Sequence, residues 1–165
     1  MSLSKAFLYG DMDRDVYIEL PDEDGRKNGK ELVGLLKKSM YGLRDAPLIW
    51  QKVVRTMLVK RGFESLTTTQ CVYINPTTST IIVAHVDDFL CLGSKGGLRE
   101  LLRDLQTEFE CSGEGLGPDV DEVKEIRFLG RYVRYTASGL EWEGDDKHVK
   151  AFLDKLDGGD LKGHR

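Results

Sequence analysis

The stretch "TIIVAHVDDFLCLG", residues 80–93, decides how the rest of the chain is read. Two runs rich in apolar residues, "TIIVAHV" and "FLCLG", are parted only by Asp87 and Asp88. Such runs, broken by a short polar pair, predict the two strands of a hairpin. Asp is common in turns because its carboxylate bonds nearby backbone, and that reading stands for the pair. The flanks argue for more. Like carboxylates in contact repel, and the repulsion grows as water is excluded. At the end of buried strands the pair is tolerable where a divalent cation neutralises it, and hard oxygen ligands suit Mg2+ or Mn2+. Alternation along a strand keeps both side chains from pointing squarely at one spot. Asp87 is the expected principal ligand and Asp88 the supporting one. A metal so held commonly serves phosphoryl transfer, in which two ions about 3.5–4 Å apart clamp the reacting oxygens.

Outward from the hairpin, the pattern alternates strand and helix. On the N-terminal side, "CVYI" predicts a strand and "NPTTS" a tight loop. Before them, Trp50, Val53, Val54, Met57 and Leu58 recur at helical spacing, with Pro47 to open the helix and Gly62 to stop it. Further upstream "DVYIEL" predicts a strand, and "PDEDGRKNGK" a polar loop. On the C-terminal side, Leu98, Leu101, Leu102, Leu105 and Phe109 form the apolar stripe of a second helix. "CSGEGLGPDVDE" predicts a loop, and "IRFLGRYVRY" with "LEWE" a strand pair joined through "TASG". Asp145 or Asp146 is placed to cap a last helix, buried through Val149, Phe152, Leu153 and Leu156. Antiparallel strands with two or three helices predict an α+β fold with the helices on one face of the sheet.

The 165 residues, 40% hydrophobic and 32% charged, suffice for one domain with a real core. No run approaches the roughly 20 apolar residues of a membrane span, and no secretory signal opens the chain. An intracellular protein is expected, in nucleus or cytoplasm. Cys71, Cys91 and Cys111 follow no metal-ligand spacing and are expected to be buried thiols. The net charge of −4 argues against nucleic-acid binding by bulk electrostatics.

"HVDD", residues 85–88, resembles the "YVDD" box of reverse transcriptases. The chain around it resembles those of Ty1/copia-type retrotransposons in particular. "KAFLYGDMDRDVYIELP", "LLKKSMYGLRDAPLIW", "RGFESLTTTQCVYI", "VDDFLCLG", "IRFLGRYV" and "KHVKAFLDKL" recur in the family's order. The resemblance covers residues 4 to 156 and implies a partial reverse transcriptase domain over 1–156, with 157–165 a disordered tail. It implies a polymerase palm, an antiparallel sheet with helices on one face, whose fingers and thumb are incomplete. The implied activity is RNA-directed DNA polymerisation by two-metal nucleotidyl transfer, with Mg2+ or Mn2+ as cofactor. The implied partners are an RNA or DNA template, a DNA primer and dNTPs.

Residue by residue, the resemblance makes Asp87 and Asp88 the metal-binding, catalytic pair. His85 stands where the family has Tyr, close to the primer end. Phe7 matches the bulky residue that crowds the incoming sugar, though Phe is as readily plain core. Residues 40–47, "MYGLRDAP", match the segment under the template base and incoming nucleotide, which makes Tyr41, Gly42 and Pro47 nucleotide-binding. Ordinary turn punctuation also accounts for Gly42 and Pro47. Leu129 and Gly130 match the hairpin that grips the primer, and equally suit a strand kinked at glycine. Lys37 and Lys38 suit phosphate or open solvent.

One departure matters. The family's first motif carries an Asp five positions before the Phe of "AF", and counting back from Phe7 gives Ser2. A serine hydroxyl brings no charge to bridge two cations. Asp11, Asp13 and Asp15 lie beyond Phe7 and read as a solvated acidic turn. The chain also begins after the family's basic fingers segment, so weak nucleic-acid binding and loss of polymerisation are expected. The competing function is a domesticated relic that serves as a folded, non-catalytic interaction domain. A template-free nucleotidyl transferase or cyclase explains the aspartates but not "KKSMYGLRDAPLIW".

Overall fold

Alternating burial along short strands builds the sheet to which the acidic hairpin belongs. A computed structural model describes residues 1–21, 23, 26, 27, 30–144 and 146–157, in two compact units, Met1–Gly113 and Glu114–Arg165.

The first unit runs β1 (Ser2–Leu3), a 3₁₀ turn (Ala6–Tyr9), β2 (Tyr17–Glu19), β3 (Arg26–Lys27), β4 (Lys30–Glu31) and β5 (Val33–Leu35). It continues with α1 (Ala46–Lys60), β6 (Glu64–Ser65), β7 (Val72–Asn75), β8 (Thr80–His85), β9 (Asp88–Leu92), α2 (Lys95–Leu105) and β10 (Cys111–Ser112). Six strands form one antiparallel sheet in the order β10-β1-β9-β8-β7-β6. Leu3, Tyr73, Ile82 and Phe89 are each at most 2% exposed and point to one face. There they meet Trp50, Val54, Met57 and Leu58 of α1 and Leu101 and Leu105 of α2 in a single core. Burying side chains of this size contributes about 1.5–3 kcal/mol each. The α+β expectation holds, with α1 and α2 on one face of this sheet.

Local chemistry explains where the helices begin. Pro47 sits in the first turn of α1, where a missing N–H costs nothing. Ser94 caps α2 by accepting from the Gly97 N–H at 3.2 Å. Buried Asn75 closes the β7–β8 turn, its Oδ1 accepting from the Thr77 and Thr78 N–H groups at 3.0 and 3.1 Å.

The second unit contains β11 (Glu125–Phe128), β12 (Arg131–Thr136), β13 (Gly139–Trp142) and α3 (Asp146–Asp157), the strands forming a three-stranded antiparallel sheet. Its entry loop is closed by Lys124, whose ammonium donates to the carbonyls of Gly117 and Asp119 at 2.7 and 3.0 Å.

Several expectations are corrected. "IRFLGRYVRY" is not one strand but a hairpin, because Leu129 (φ 52) and Gly130 (φ 77) both take the left-handed conformation that a tight turn needs. Cys111 and Ser112, expected in a loop, pair with Leu3 and Ser2 at the sheet edge. Phe109 lies beyond the end of α2 yet stays buried, its N–H bonded to the Leu105 carbonyl at 2.9 Å. In and just after the polar stretch at 21–30, Arg26–Lys27 and Lys30–Glu31 pair as a short ladder. Cys71 is exposed and Cys91 and Cys111 only half-buried, so the three are not uniformly buried thiols. The proposed cap at Asp145 and the tail at 158–165 lie outside the described residues. Among the described residues, no helix is long and apolar enough to cross a membrane.

Candidate metal and nucleotide site

Strands β8 and β9 pair with His85 opposite Asp88, which leaves Val86 and Asp87 as a two-residue loop. Val86 stands at φ 52, and among the loop's two residues it alone has a positive φ. That is the pattern of a II′ turn, whose twist matches the strands it joins. Glycine is the usual occupant, so a β-branched residue here is an outlier. Its carbonyl accepts from Trp50 Nε1 of α1 at 2.5 Å.

On the other side of the tip lies β1. The Leu3 N–H donates to the Asp87 carbonyl and the Phe89 N–H to the Met1 carbonyl, both at 2.8 Å. These bonds flank the pair Ser2–Asp88, which is therefore a non-hydrogen-bonded pair of the antiparallel ladder. Cα atoms in such pairs lie about 4.5 Å apart and the side chains face each other closely. Ser2 thus sits directly against the second aspartate. Asp87 and Asp88 are both half-buried, and neither is splayed into open solvent.

Five residues beyond Ser2, Phe7 turns into a cavity of ≈ 290 Å³ beside the tip. Trp50, Tyr73 and Ala84 give it an apolar floor, while Gln70, Cys71 and His85 bring polar groups to it. Pro47 and Val86 line it as well. Phe7 is 9% exposed, and its ring meets that of Tyr41 with centroids 4.6 Å apart. Gly42 follows at φ 95, a conformation that disfavours any side chain, and a Cβ there would meet nothing within 4 Å. Six of the expected residues, Phe7, Tyr41, Gly42, Pro47, His85 and Asp87, therefore come from three separate segments of one unit. Asp88 joins them through the Ser2 pairing, although neither aspartate lines the cavity. Leu129 and Gly130 form the β11–β12 turn of the second unit, exposed to solvent.

Arg14 binds the Asp45 carboxylate at 2.7 Å. That hydrogen bond holds the Asp45 carboxyl below its ordinary range. It also ties the acidic turn at 11–15 to the start of α1, as do Lys38 to Asp11 at 2.7 Å and Lys52 to Asp13 at 3.7 Å. Asp11 and Asp13 are therefore engaged in ion pairs with lysines. Trp50 was legible in the sequence only as one member of a helical stripe. Its bond to the hairpin has no local signature, since 36 residues separate donor and acceptor.

Among the described residues, no group of three or more His, Cys, Asp or Glu side chains is placed to hold a metal ion. The donor set at the tip is the Asp87–Asp88 pair, with the Ser2 hydroxyl across the ladder from Asp88. Mg2+ keeps several waters and takes one or two carboxylates, so the set suits a single hard cation. A clamp of two ions takes a further carboxylate, and none among the described residues joins the pair.

Comparison with known proteins follows the same line. The sequence profile of the family described as "Reverse transcriptase (RNA-dependent DNA polymerase)" matches residues 1–143. The retrovirus-related Pol polyprotein from transposon TNT 1-94 of Nicotiana tabacum is 28% identical over 94% of this chain. The transposon Ty1-DR1 Gag-Pol polyprotein of Saccharomyces cerevisiae is 27% identical over 94%, and the truncated transposon Ty1-A Gag-Pol polyprotein 26% over 94%. The chain spans only 12%, 9% and 13% of the length of these three relatives. No solved structure matches it at a significant level.

Proposed function

Because this chain belongs to the reverse transcriptase (RNA-dependent DNA polymerase) family, in its Ty1/copia branch, we propose that its first unit is a polymerase palm that retains a nucleotide site but does not polymerise. Asp87 and Asp88 would hold one Mg2+ or Mn2+, which when bound offsets the negative charge of a triphosphate. Phe7 presses on the sugar of the incoming dNTP, buttressed by the Tyr41 ring. Gly42 leaves the backbone open to the nucleotide, Pro47 fixes the start of α1 beneath it, and His85 packs near the primer end. Leu129 and Gly130 are carried over as primer-contacting residues on the family likeness. The proposed ligands are an RNA or DNA template with its DNA primer and dNTPs. At a net charge of −4, binding to them is weak.

The observation that carries this reading is the register of β1. It brings Ser2, the position of the family's first metal-binding Asp, directly opposite Asp88. On the family likeness, Ser2 thus puts a hydroxyl where a third carboxylate would stand.

Two measurements test the reading. Primer extension on an RNA template, in Mg2+ and in Mn2+, is expected to add no nucleotide above the protein-free control; robust extension contradicts the loss of activity. Alkylation of Cys71, which lines the cavity, is expected to slow when a dNTP and Mn2+ are present together. An unchanged rate contradicts the nucleotide site.

A further inference from the structure

The bond between Trp50 Nε1 and the Val86 carbonyl joins helix α1 to the hairpin tip. An indole N–H is only a donor, and Trp50 is 2% exposed, so an unmet N–H there would carry a desolvation penalty. The first loop residue of a two-residue hairpin lies outside the ladder, and here its carbonyl takes the indole N–H as partner. Val86 also holds a φ of 52 that β-branched residues avoid, and such strain persists only where the surroundings over-determine it.

The indole is itself held. Its ring packs 6.3 Å from that of Tyr9 and 6.4 Å, edge to face, from that of Phe109. The Tyr9 hydroxyl in turn accepts from the Glu110 N–H at 2.6 Å. A rigid donor on α1 therefore meets a strained turn. On the turn's other side, the Leu3 N–H fixes the Asp87 carbonyl.

We propose that Trp50 is a positioning residue for the acidic tip: its N–H holds the Val86 carbonyl, sets the turn, and so fixes the backbone from which Asp87 and Asp88 project beside β1. The role assigned to those carboxylates rests on the functional reading above, whereas the clamp itself rests on geometry alone. Packing by Trp50 and donation by Trp50 are separable. Replacing it with 3-benzothienylalanine keeps the bicyclic volume and puts sulfur in place of N–H, while Trp50→Phe removes the donor and some volume as well.

The test reads amide hydrogen exchange at Leu3, whose N–H bonds the tip, and at Leu58, a fully buried residue in the last turn of α1, together with Mn2+ affinity. Loss of one hydrogen bond to the turn is expected to speed Leu3 exchange in the isostere by about fivefold. Exchange at Leu58 changes by less than about twofold, because the packing is kept. Mn2+ affinity falls in step with Leu3 protection. Unchanged Leu3 exchange in the isostere overturns the proposal, as does equal acceleration at Leu3 and Leu58, which marks a packing role only. Faster Leu3 exchange in a protein that binds no Mn2+ upholds the clamp and removes the ion reading instead.

Discussion

Ser2, Asp88 and His85 occupy three adjacent strands at one level of the sheet, so each side chain meets what its neighbours offer rather than what its own segment prescribes. That is why the acidic pair is legible from sequence while its environment is not. The cysteines make the same point. Burial pushes the Cys91 thiol up to about 11, and burial raises that of Cys111 as well, whereas Cys71 is exposed. Since the thiolate is the reactive species, iodoacetamide at mildly alkaline pH is expected to modify Cys71 first and Cys91 only on unfolding. A linked stability effect follows. In the unfolded chain a thiol ionises at ~8.5, so the protonated Cys91 contributes full stability below that pH. The contribution declines as pH rises from there through about 11. The melting temperature of the native chain should therefore fall more steeply across this window than that of Cys91→Ala. Parallel pH curves for the two proteins would contradict it.

At the scale of elements, the fit between the 3₁₀ turn and α1 sets the position of Phe7. Gly10 ends that turn, and a Cβ added there would lie 2.4 Å from Ile49 Cγ2, a branched side chain only 5% exposed. Gly10→Ala is expected to destabilise the fold by about 1–3 kcal/mol, the usual cost of overpacking, read as a lower urea midpoint. Helix α1 itself was legible, because Trp50, Val54, Met57 and Leu58 repeat at a period that nothing else explains. So was the β8–β9 hairpin, although its turn is Val86–Asp87 and Asp88 already belongs to β9. The 3₁₀ turn at Ala6–Tyr9 was not, since four residues carry no period. Nor was β10, whose two residues become a strand only because β1 lies alongside. Two-residue strands are made by their partners, and composition does not name the partner. The split of "IRFLGRYVRY" turned on Leu129 accepting a positive φ beside Gly130, which a leucine seldom does. The candidate site follows the same division. Phe7, Tyr41 and the aspartates stood out by type and order, while the Trp50 bond to Val86 depends on tertiary placement alone.

For the whole molecule, the deciding property is how many ions the acidic tip can hold. In the proposed reading Asp87 and Asp88 hold one hard cation, and a third carboxylate placed at Ser2 would allow a second. In the absence of metal, Ser2→Asp places like charges directly opposite one another and is expected to cost about 0.2–1 kcal/mol. Mn2+ should reverse that loss, since a cation that binds only the folded state stabilises it. The most direct test is the stoichiometry of Mn2+ binding, read by electron paramagnetic resonance on the full chain and its variants. The account predicts one ion per native chain, none in Asp87→Asn/Asp88→Asn, and a second ion or a clear gain in affinity in Ser2→Asp. Binding that survives loss of both aspartates, or a Ser2→Asp variant that binds no better than the native chain, would contradict it.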